Sequence, residues 1–345
     1  MKNLRELSLA EIEAVMLQIG EPKFRAKQVY DWLWQKFAGD IGEMTNLSKT
    51  LREKLSGEYT IPKVKVQQSQ ISDDGTVKNR LELHDGYFVE SVLIPTEQRL
   101  TACVSSQVGC SLSCKFCATG FMGRKRNLEF DEIFDEVALL NVQAEKQFGK
   151  KLTNIVFMGM GEPLLNYKNV LRAIDKITSP DSLGMSPKRI TVSTAGVAKM
   201  IRQLGDDKVK FKLALSLHAP NDRKRNEIMP INETNDLHSL IEALNYFYKE
   251  TGNEITFEYI LFKNFNDGPK DSEELIKIYR QVPVDLINII EYNPIDKARF
   301  TNADEDTTQD FCELLESKRV NVRLRRSRGK DIDAACGQLA NIDRR

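Results

Sequence analysis

The sequence carries no net charge: lysine plus arginine and aspartate plus glutamate number 50 each among 345 residues. That balance excludes a global field drawing the chain to nucleic acid or anionic lipid, so any such partner must be held by local patches. No stretch approaches the roughly 20 apolar residues that span a bilayer, and residues 1–10 hold no apolar core of signal-peptide length. A soluble cytoplasmic protein without membrane contact is expected. Cysteine is limited to Cys103, Cys110, Cys114, Cys117, Cys312 and Cys336. A chain this long buries a substantial core, which excludes a small disulfide-stapled scaffold. In a reducing compartment these cysteines read as ligands or reactive thiols. There is no internal repeat and no low-complexity tract.

What is present divides the chain into three. Over residues 7–57 apolar residues fall at helical spacing, with Ser8 before a first helix and Glu21-Pro22 punctuating the next. Residues 1–60 are expected to form a small helical accessory domain. Across residues 62–95 polar and apolar residues alternate, with Asp73-Asp74-Gly75 and His84-Asp85-Gly86 as turns, which predicts a β-meander over 61–98. Residues 99–345 alternate apolar β-rich runs with amphipathic helical segments. Strands are expected over 100–106, 154–160, 189–194, 211–217, 255–262, 286–291 and 320–324. Repeated βα units imply a parallel sheet, so the fold class is α/β, a partial TIM-like (β/α)6 barrel with a helical front domain and a short meander. In such barrels chemistry gathers where the strands end, because the βα loops converge on one mouth.

Cys110-Ser-Leu-Ser-Cys114-Lys-Phe-Cys117 follows the first expected barrel strand as C-x3-C-x2-C. Three thiolates from one loop leave one iron of a cubane without a protein ligand, free to chelate a substrate. A structural zinc site wants four ligands, and no histidine or fourth cysteine lies at the usual local spacing. At Cys110, Cys114, Phe116 and Cys117 the chain resembles the radical S-adenosylmethionine (radical SAM) superfamily. The resemblance implies a 4Fe–4S cluster on Cys110, Cys114 and Cys117. It also implies S-adenosylmethionine bound at the open iron and split by one electron to a 5′-deoxyadenosyl radical. The protein's task is then orientation and exclusion of solvent.

Further motifs fall at strand ends. In Met158-Gly-Met-Gly161-Glu162-Pro163-Leu164, Gly161 permits close backbone approach and Glu162 is a candidate acceptor for the methionyl amino group. Ser193, Ser216-Leu217-His218 and Asn293 offer polar groups for ribose, carboxylate and adenine. Singly each is an ordinary polar strand end; together they mark a cofactor site.

Cys103, on the strand entering the cysteine loop, reads on its chemistry as a small buried filler. Cys336, in Ala-Ala-Cys336-Gly337, is an uncrowded thiol, and Cys312 reads as helical core. Taken in order, six segments resemble the RlmN family of RNA adenine methyltransferases over essentially the whole chain. They are Val89-Glu90-Ser-Val-Leu-Ile-Pro95, Cys103-Val-Ser-Ser-Gln-Val-Gly-Cys110, the triad ending Cys117-Ala-Thr-Gly120, residues 158–166, Ser216-Leu-His-Ala-Pro220 and the Cys336 segment.

Carbon-2 of adenine lies between two ring nitrogens and is electrophilic, so attack on a sulfonium methyl cannot occur there and a radical route is required. The resemblance implies that Cys336 is first methylated by one S-adenosylmethionine and that a second supplies the radical, two per turnover. It makes Glu90 the base for the carbon-2 proton. Cys103 becomes the thiol that resolves a protein–RNA adduct by pairing with Cys336. It implies 23S ribosomal RNA and transfer RNA as substrates, a flavodoxin or ferredoxin as electron donor, and a monomer. The Cfr branch places the same residues but methylates carbon-8; the longer front domain favours RlmN. A non-catalytic RNA-binding metalloprotein is the rival from another class.

Two basic runs would hold phosphate beside the mouth: Arg124-Lys125-Arg126, and residues 319–330 with Arg323, Arg325, Arg326, Arg328 and Lys330. The front domain adds Lys23, Arg25 and Lys27, with Trp32 and Trp34 more suited to core packing. The target adenine must be unstacked, in a loop or flipped out.

Overall fold

A computed structural model describes residues 1–341. Its front is helical: α1 (Leu9–Gln18), α2 (Phe24–Trp34) and α3 (Lys49–Glu58). Ser8 starts α1 through a reciprocal cap, accepting from the Glu11 amide while its own amide donates to the Glu11 carboxylate at 2.7 Å.

The centre is a ten-stranded sheet whose strands lie side by side in chain order. β1 (Lys65–Ile71), β2 (Val77–Glu82) and β3 (Phe88–Pro95) are antiparallel, joined by the two glycine turns read from the sequence. β4 (Leu100–Cys103) pairs antiparallel with β3 and parallel with β5 (Asn154–Phe157). The meander and the barrel therefore share one sheet. The parallel run continues through β6 (Ile190–Thr194), β7 (Lys212–Ser216), β8 (Ile255–Leu261), β9 (Leu286–Glu291) and β10 (Val322–Arg325). Six helical crossovers link these seven strands: α4 (Phe130–Phe148), α5 (Tyr167–Thr178), α6 (Ala198–Asp206), α7 (Asp222–Ile228) with α8 (Leu237–Thr251), α9 (Pro269–Tyr279) and α10 (Glu305–Ser317). Strands buried on both faces read as continuous apolar runs, and every residue of β8 is buried.

Strands β4 and β5 stop three residues earlier than the alternation predicts. Beyond Cys103 the Ser105 amide donates to the Glu136 carboxylate at 3.0 Å instead of to a neighbouring strand. Beyond Phe157 the chain passes so close that a Cβ on Gly159 would lie 2.7 Å from the Val104 carbonyl oxygen. Both strands give way to the loops that shape the mouth.

The front helices dock on the outside of α4 and α5. Trp34, 1 % exposed, packs edge-on against Phe134 at 5.0 Å. Beside it the Arg5 guanidinium meets the Asp135 carboxylate at 2.7 Å, with both side chains buried. Burial pushes the Asp135 carboxyl up, and the Arg5 charge opposes that push. Removing one member of such a pair strands the other charge. Arg5→Ala is therefore expected to destabilise the protein by about 3–5 kcal/mol, read as a lowered urea midpoint.

Candidate active site and cofactor cavity

The three cysteines lie in the loop between β4 and α4, at the carboxyl ends of the parallel strands. The loop is tightly folded. A Cβ on Gly120 would lie 2.9 Å from the Cys114 carbonyl oxygen, so this loop closes only around glycine. Its Lys115 amide donates to the Ile228 carbonyl at 3.0 Å, tying it to the end of α7. Phe116 packs edge-on against the His218 ring at 4.9 Å.

Cys110, Cys114 and Cys117 face a cavity whose other side is made of strand ends: Gly161, Glu162, Ser193, Ser216 and His218. The structure thus gathers five of the seven sequence-predicted cofactor residues around the triad. Leu217 and Asn293 are not among its lining. Leu217 is fully buried in the core, because adjacent residues of an extended chain face opposite sides. Asn293 lies under the tail, where its side-chain amide donates to the Cys336 carbonyl at 3.2 Å.

Each gathered residue is held. Gly161 has φ 100°, and a Cβ there would sit 2.6 Å from that of Gln107. The Glu162 carboxylate already accepts the backbone amides of Ala195 at 2.7 Å and Leu164 at 3.0 Å. It clamps two strand-end turns together, so any methionyl contact falls to its remaining lone pairs. Ser193 and Ser216 hydroxyls lie 3.3 Å apart on neighbouring strands. His218 has φ 55°, and its Nδ1 accepts the Ile260 amide at 3.2 Å. Burial, helped by the Arg225 charge, holds its pKa down to about 3, so the ring is neutral at physiological pH.

Two buried charges in this region are invisible to motif reading. Arg225, with no exposure, donates to the carbonyls of Ala195, Ser216 and Leu217 and to the Asn232 side chain, stitching three loops under the cavity. It sits in an ordinary polar helix and gives no sequence signal. Glu258 lies in the middle of β8; its Oε1 accepts from Asn288 at 2.8 Å while Oε2 lacks a hydrogen-bond partner and faces Arg325 at 3.6 Å. A carboxylate inside an apolar strand was the signal that could have found it.

Cys336 lines this cavity too, and also a second, larger space of about 1800 Å³ that runs down the barrel lumen past Cys103 and Cys117. Both of the distant thiols therefore open onto one lumen beside the cluster loop. The Cys103 thiol is pushed up to about 12, by burial first and then by the neighbouring Cys336. The tail is strapped to the cluster loop: the Ala118 amide donates to the Gly337 carbonyl at 2.7 Å, and the Thr119 hydroxyl to that of Leu339 at 2.6 Å.

Glu90 lies on β3, the strand paired with the one that carries Cys103. It is 2 % exposed and faces a separate cavity, of which Cys103 and Cys336 are not part. Its Oε2 accepts the amides of Ala340 and Asn341 at 2.8 and 3.1 Å, and its Oε1 meets the buried Lys78 ammonium at 3.6 Å. The tail amides of Ala340 and Asn341 cap the carboxylate.

The basic runs are also largely committed. Arg126 makes paired bonds to Glu132 and a further one to Asp85. Arg326 and Lys330 converge on Glu291, and Arg323 and Arg325 face the lumen. Arg328 and Gly329 donate to Asp74, and Ser72 donates to Asp331 at 2.6 Å, so the tail clasps the β1–β2 turn. Internal acids pair with Arg126, Arg325, Arg326, Arg328 and Lys330. Lys23 and Lys27 are likewise paired, with Glu13 and with Asp31 and Asp181.

The residues fit a cluster. Burial pushes the Cys110 thiol up to about 11, and Cys114 and Cys117 also upward, with the three opposing one another's ionisation. Three crowded, mutually repelling thiols require a cationic group to become thiolates. Among the described residues no three His, Cys, Asp or Glu side chains are set to hold a single metal ion, whereas the triad borders a cavity with polar strand ends on its other side.

Comparison with known proteins matches residues 104–281 to the radical SAM superfamily and residues 2–61 to the ribosomal RNA large subunit methyltransferase N-terminal domain. A probable dual-specificity RNA methyltransferase RlmN from Cytophaga hutchinsonii is 57 % identical, covering 98 % of this chain and 93 % of its own. The chain belongs to the RlmN family. A Christiangramia forsetii protein of the same name is 52 % identical over 99 % of this chain and 96 % of its own. The crystal structure of a radical SAM methyltransferase from Sphaerobacter thermophilus superposes with a TM-score of 0.92, at 38 % identity, covering 98 % of this chain and 99 % of that one. This RlmN-family chain is thus a radical SAM methyltransferase using a 4Fe–4S cluster and S-adenosylmethionine. No helix among its described residues is long and apolar enough to cross a membrane.

Proposed function

We propose that the protein methylates carbon-2 of adenosine in RNA, at adenosine 2503 of 23S ribosomal RNA and adenosine 37 of transfer RNAs, in the cytoplasm and as a monomer. The observation that carries the reading is that Cys336 and Cys103, 233 positions apart in sequence, open onto one lumen beside the cluster loop. Residues 1–60 act as the RNA-binding accessory unit, 61–98 as the meander and 99–345 as the catalytic core.

Cys110, Cys114 and Cys117 hold the cluster, which supplies one-electron chemistry toward S-adenosylmethionine. Glu162, Ser193, Ser216 and His218 orient S-adenosylmethionine and close its cavity to water. Cys336 Sγ gives up its proton as it takes a methyl group, and that group, once it has lost a hydrogen atom, bonds to carbon-2. Glu90 removes the carbon-2 proton. Cys103 then gives up its thiol proton and its Sγ bonds to Cys336 Sγ as the carbon–sulfur bond to the product breaks; the freed methylene takes a proton to become the methyl group, the one electron spent in splitting S-adenosylmethionine is released, and two electrons from a flavodoxin or ferredoxin, with two protons, return the disulfide to two thiols.

The test is positional. Protein prepared without oxygen, reduced, and incubated with unmodified 23S ribosomal and transfer RNA is expected to yield 2-methyladenosine on digestion and mass spectrometry. Exclusive 8-methyladenosine would transfer the chain to the Cfr activity, and unmodified RNA would end the proposal.

A further inference from the structure

A thiol attacks as its thiolate, so a methyl group can pass to Cys336 only as the thiol proton leaves. Glu90 does not open onto the space that holds Cys103 and Cys336. Among the described residues lining the cofactor cavity and the lumen, Glu258 is the one carboxylate common to both. It stands in the middle of β8 with 4 % exposure, in register with Ser216 on β7 and Asn288 on β9. Its two oxygens differ. Oε1 accepts from the Asn288 amide at 2.8 Å and the Thr256 hydroxyl at 3.3 Å. Oε2 lacks a hydrogen-bond partner among the described residues, and a buried acceptor left bare in that way calls for an explanation.

The charged group facing Oε2 is the Arg325 guanidinium on β10, at 3.6 Å, and its charge also acts on Cys336 and Cys103. Burial pushes the Glu258 carboxyl up, and Arg325 opposes the push. A carboxyl raised from its ordinary range lies nearer the operating pH, where a general base works best. The other candidates are occupied. The Glu162 carboxylate already accepts the amides of Leu164 and Ala195. The neutral His218 ring accepts the Ile260 amide at Nδ1, which puts its proton on Nε2 and leaves neither nitrogen free to accept another. Glu254, just before β8 at the far end of the lumen, is paired with Lys212. Between that end and the thiols the lumen is lined by Thr101, Asn154, Thr191, Thr256 and Asn288, hydroxyls and amides of the kind that hold water.

We propose that Glu258 accepts the thiol proton of Cys336, through lumen water, as Cys336 Sγ takes the methyl group of S-adenosylmethionine. The S–H bond breaks and a proton reaches Oε2. The sulfur pair bonds to the methyl carbon, and the carbon–sulfur bond of the sulfonium breaks with its pair left on S-adenosylhomocysteine. Carboxylate and sulfonium lose opposite charges together, so the step leaves no new net charge in a buried space. The inference rests on the reading of Cys336 as methyl acceptor.

The test follows this half-reaction without RNA. Holoenzyme whose Cys336 carries no methyl group is mixed anaerobically with S-adenosylmethionine bearing a deuterated methyl, and label on the Cys336 peptide is timed by mass spectrometry across the range of thiol ionisation, about pH 6 to 9. Glu258→Gln is expected to slow transfer roughly a hundredfold at neutral pH, the low end of what a positioned base contributes. The deficit should shrink as the pH rises, because solvent hydroxide then takes the proton. Equal rates at neutral pH, or a deficit that is the same at every pH, overturns the role; the second result is what a merely structural carboxylate would give. Should the stranded guanidinium unfold that variant, Glu258→Gln combined with Arg325→Met removes both charges and is read by the same comparison. Failure of the underlying reading appears separately, as wild-type protein that places no label on Cys336 at any pH.

Discussion

Cys336→Ala protein is expected to leave RNA unmethylated while still splitting S-adenosylmethionine under reduction. Loss of a covalent nucleophile typically lowers turnover by about ten-thousandfold or more. The cluster loop and the strand-end polar residues, by contrast, do not depend on this side chain. Its backbone is held from both sides, through the Asn293 amide and the Ala118–Gly337 bond, so removing the thiol should leave the tail in place. The partner variant has the opposite signature. Cys103→Ala keeps the nucleophile but removes the thiol that lies on the same lumen, so protein covalently joined to RNA should accumulate and be seen as a shifted band in denaturing gels. If Cys336→Ala still methylates RNA, or if Cys103→Ala turns over normally, the two-thiol chemistry is excluded.

Cys114→Ala carries the other large effect. With three ligands from one loop and no fourth, loss of one leaves the cubane two protein thiolates. Anaerobically prepared Cys114→Ala protein is therefore expected to lack the brown absorbance, to bind little iron and sulfide, and to show no cleavage of S-adenosylmethionine. A cluster-replete Cys114→Ala protein would refute the assignment. The variant should nevertheless fold, because most of the loop's anchoring runs through backbone: Lys115 to Ile228, Ala118 to Gly337, and Gly120 to Cys117. Near-unchanged thermal unfolding of the cluster-free forms would check that.

The barrel was legible because its signal is a period: buried runs alternating with amphipathic helices report the parallel sheet directly. The two meander turns were legible because Gly75 and Gly86, at φ 83° and 81°, sit where only glycine turns easily. What could not be read was which side of a thin wall a residue faces. Glu90 and Cys103 lie on adjacent strands, yet they line different cavities, and the returning tail lends residues to both. Nothing local to Glu90 encodes a segment 250 positions downstream. The ion pairs of the basic runs were hidden for the same reason. Arg126, Arg326 and Arg328 look free in sequence, and the acids that neutralise them come from other elements. Arg225 belongs with them as a buried charge inside an ordinary-looking helix.

The clasp between the tail and the β1–β2 turn has a consequence for assembly. Every strand of the sheet pairs with its neighbour in sequence, so a chain emerging from the ribosome can add each one to the last as it appears. The cluster loop is then in place long before residues 328–331 reach Ser72 and Asp74 and carry the Cys336 thiol to the mouth. A nascent or truncated chain would possess the radical-generating half without the acceptor thiol, and joining the oldest part of the sheet to the newest is what makes the enzyme whole.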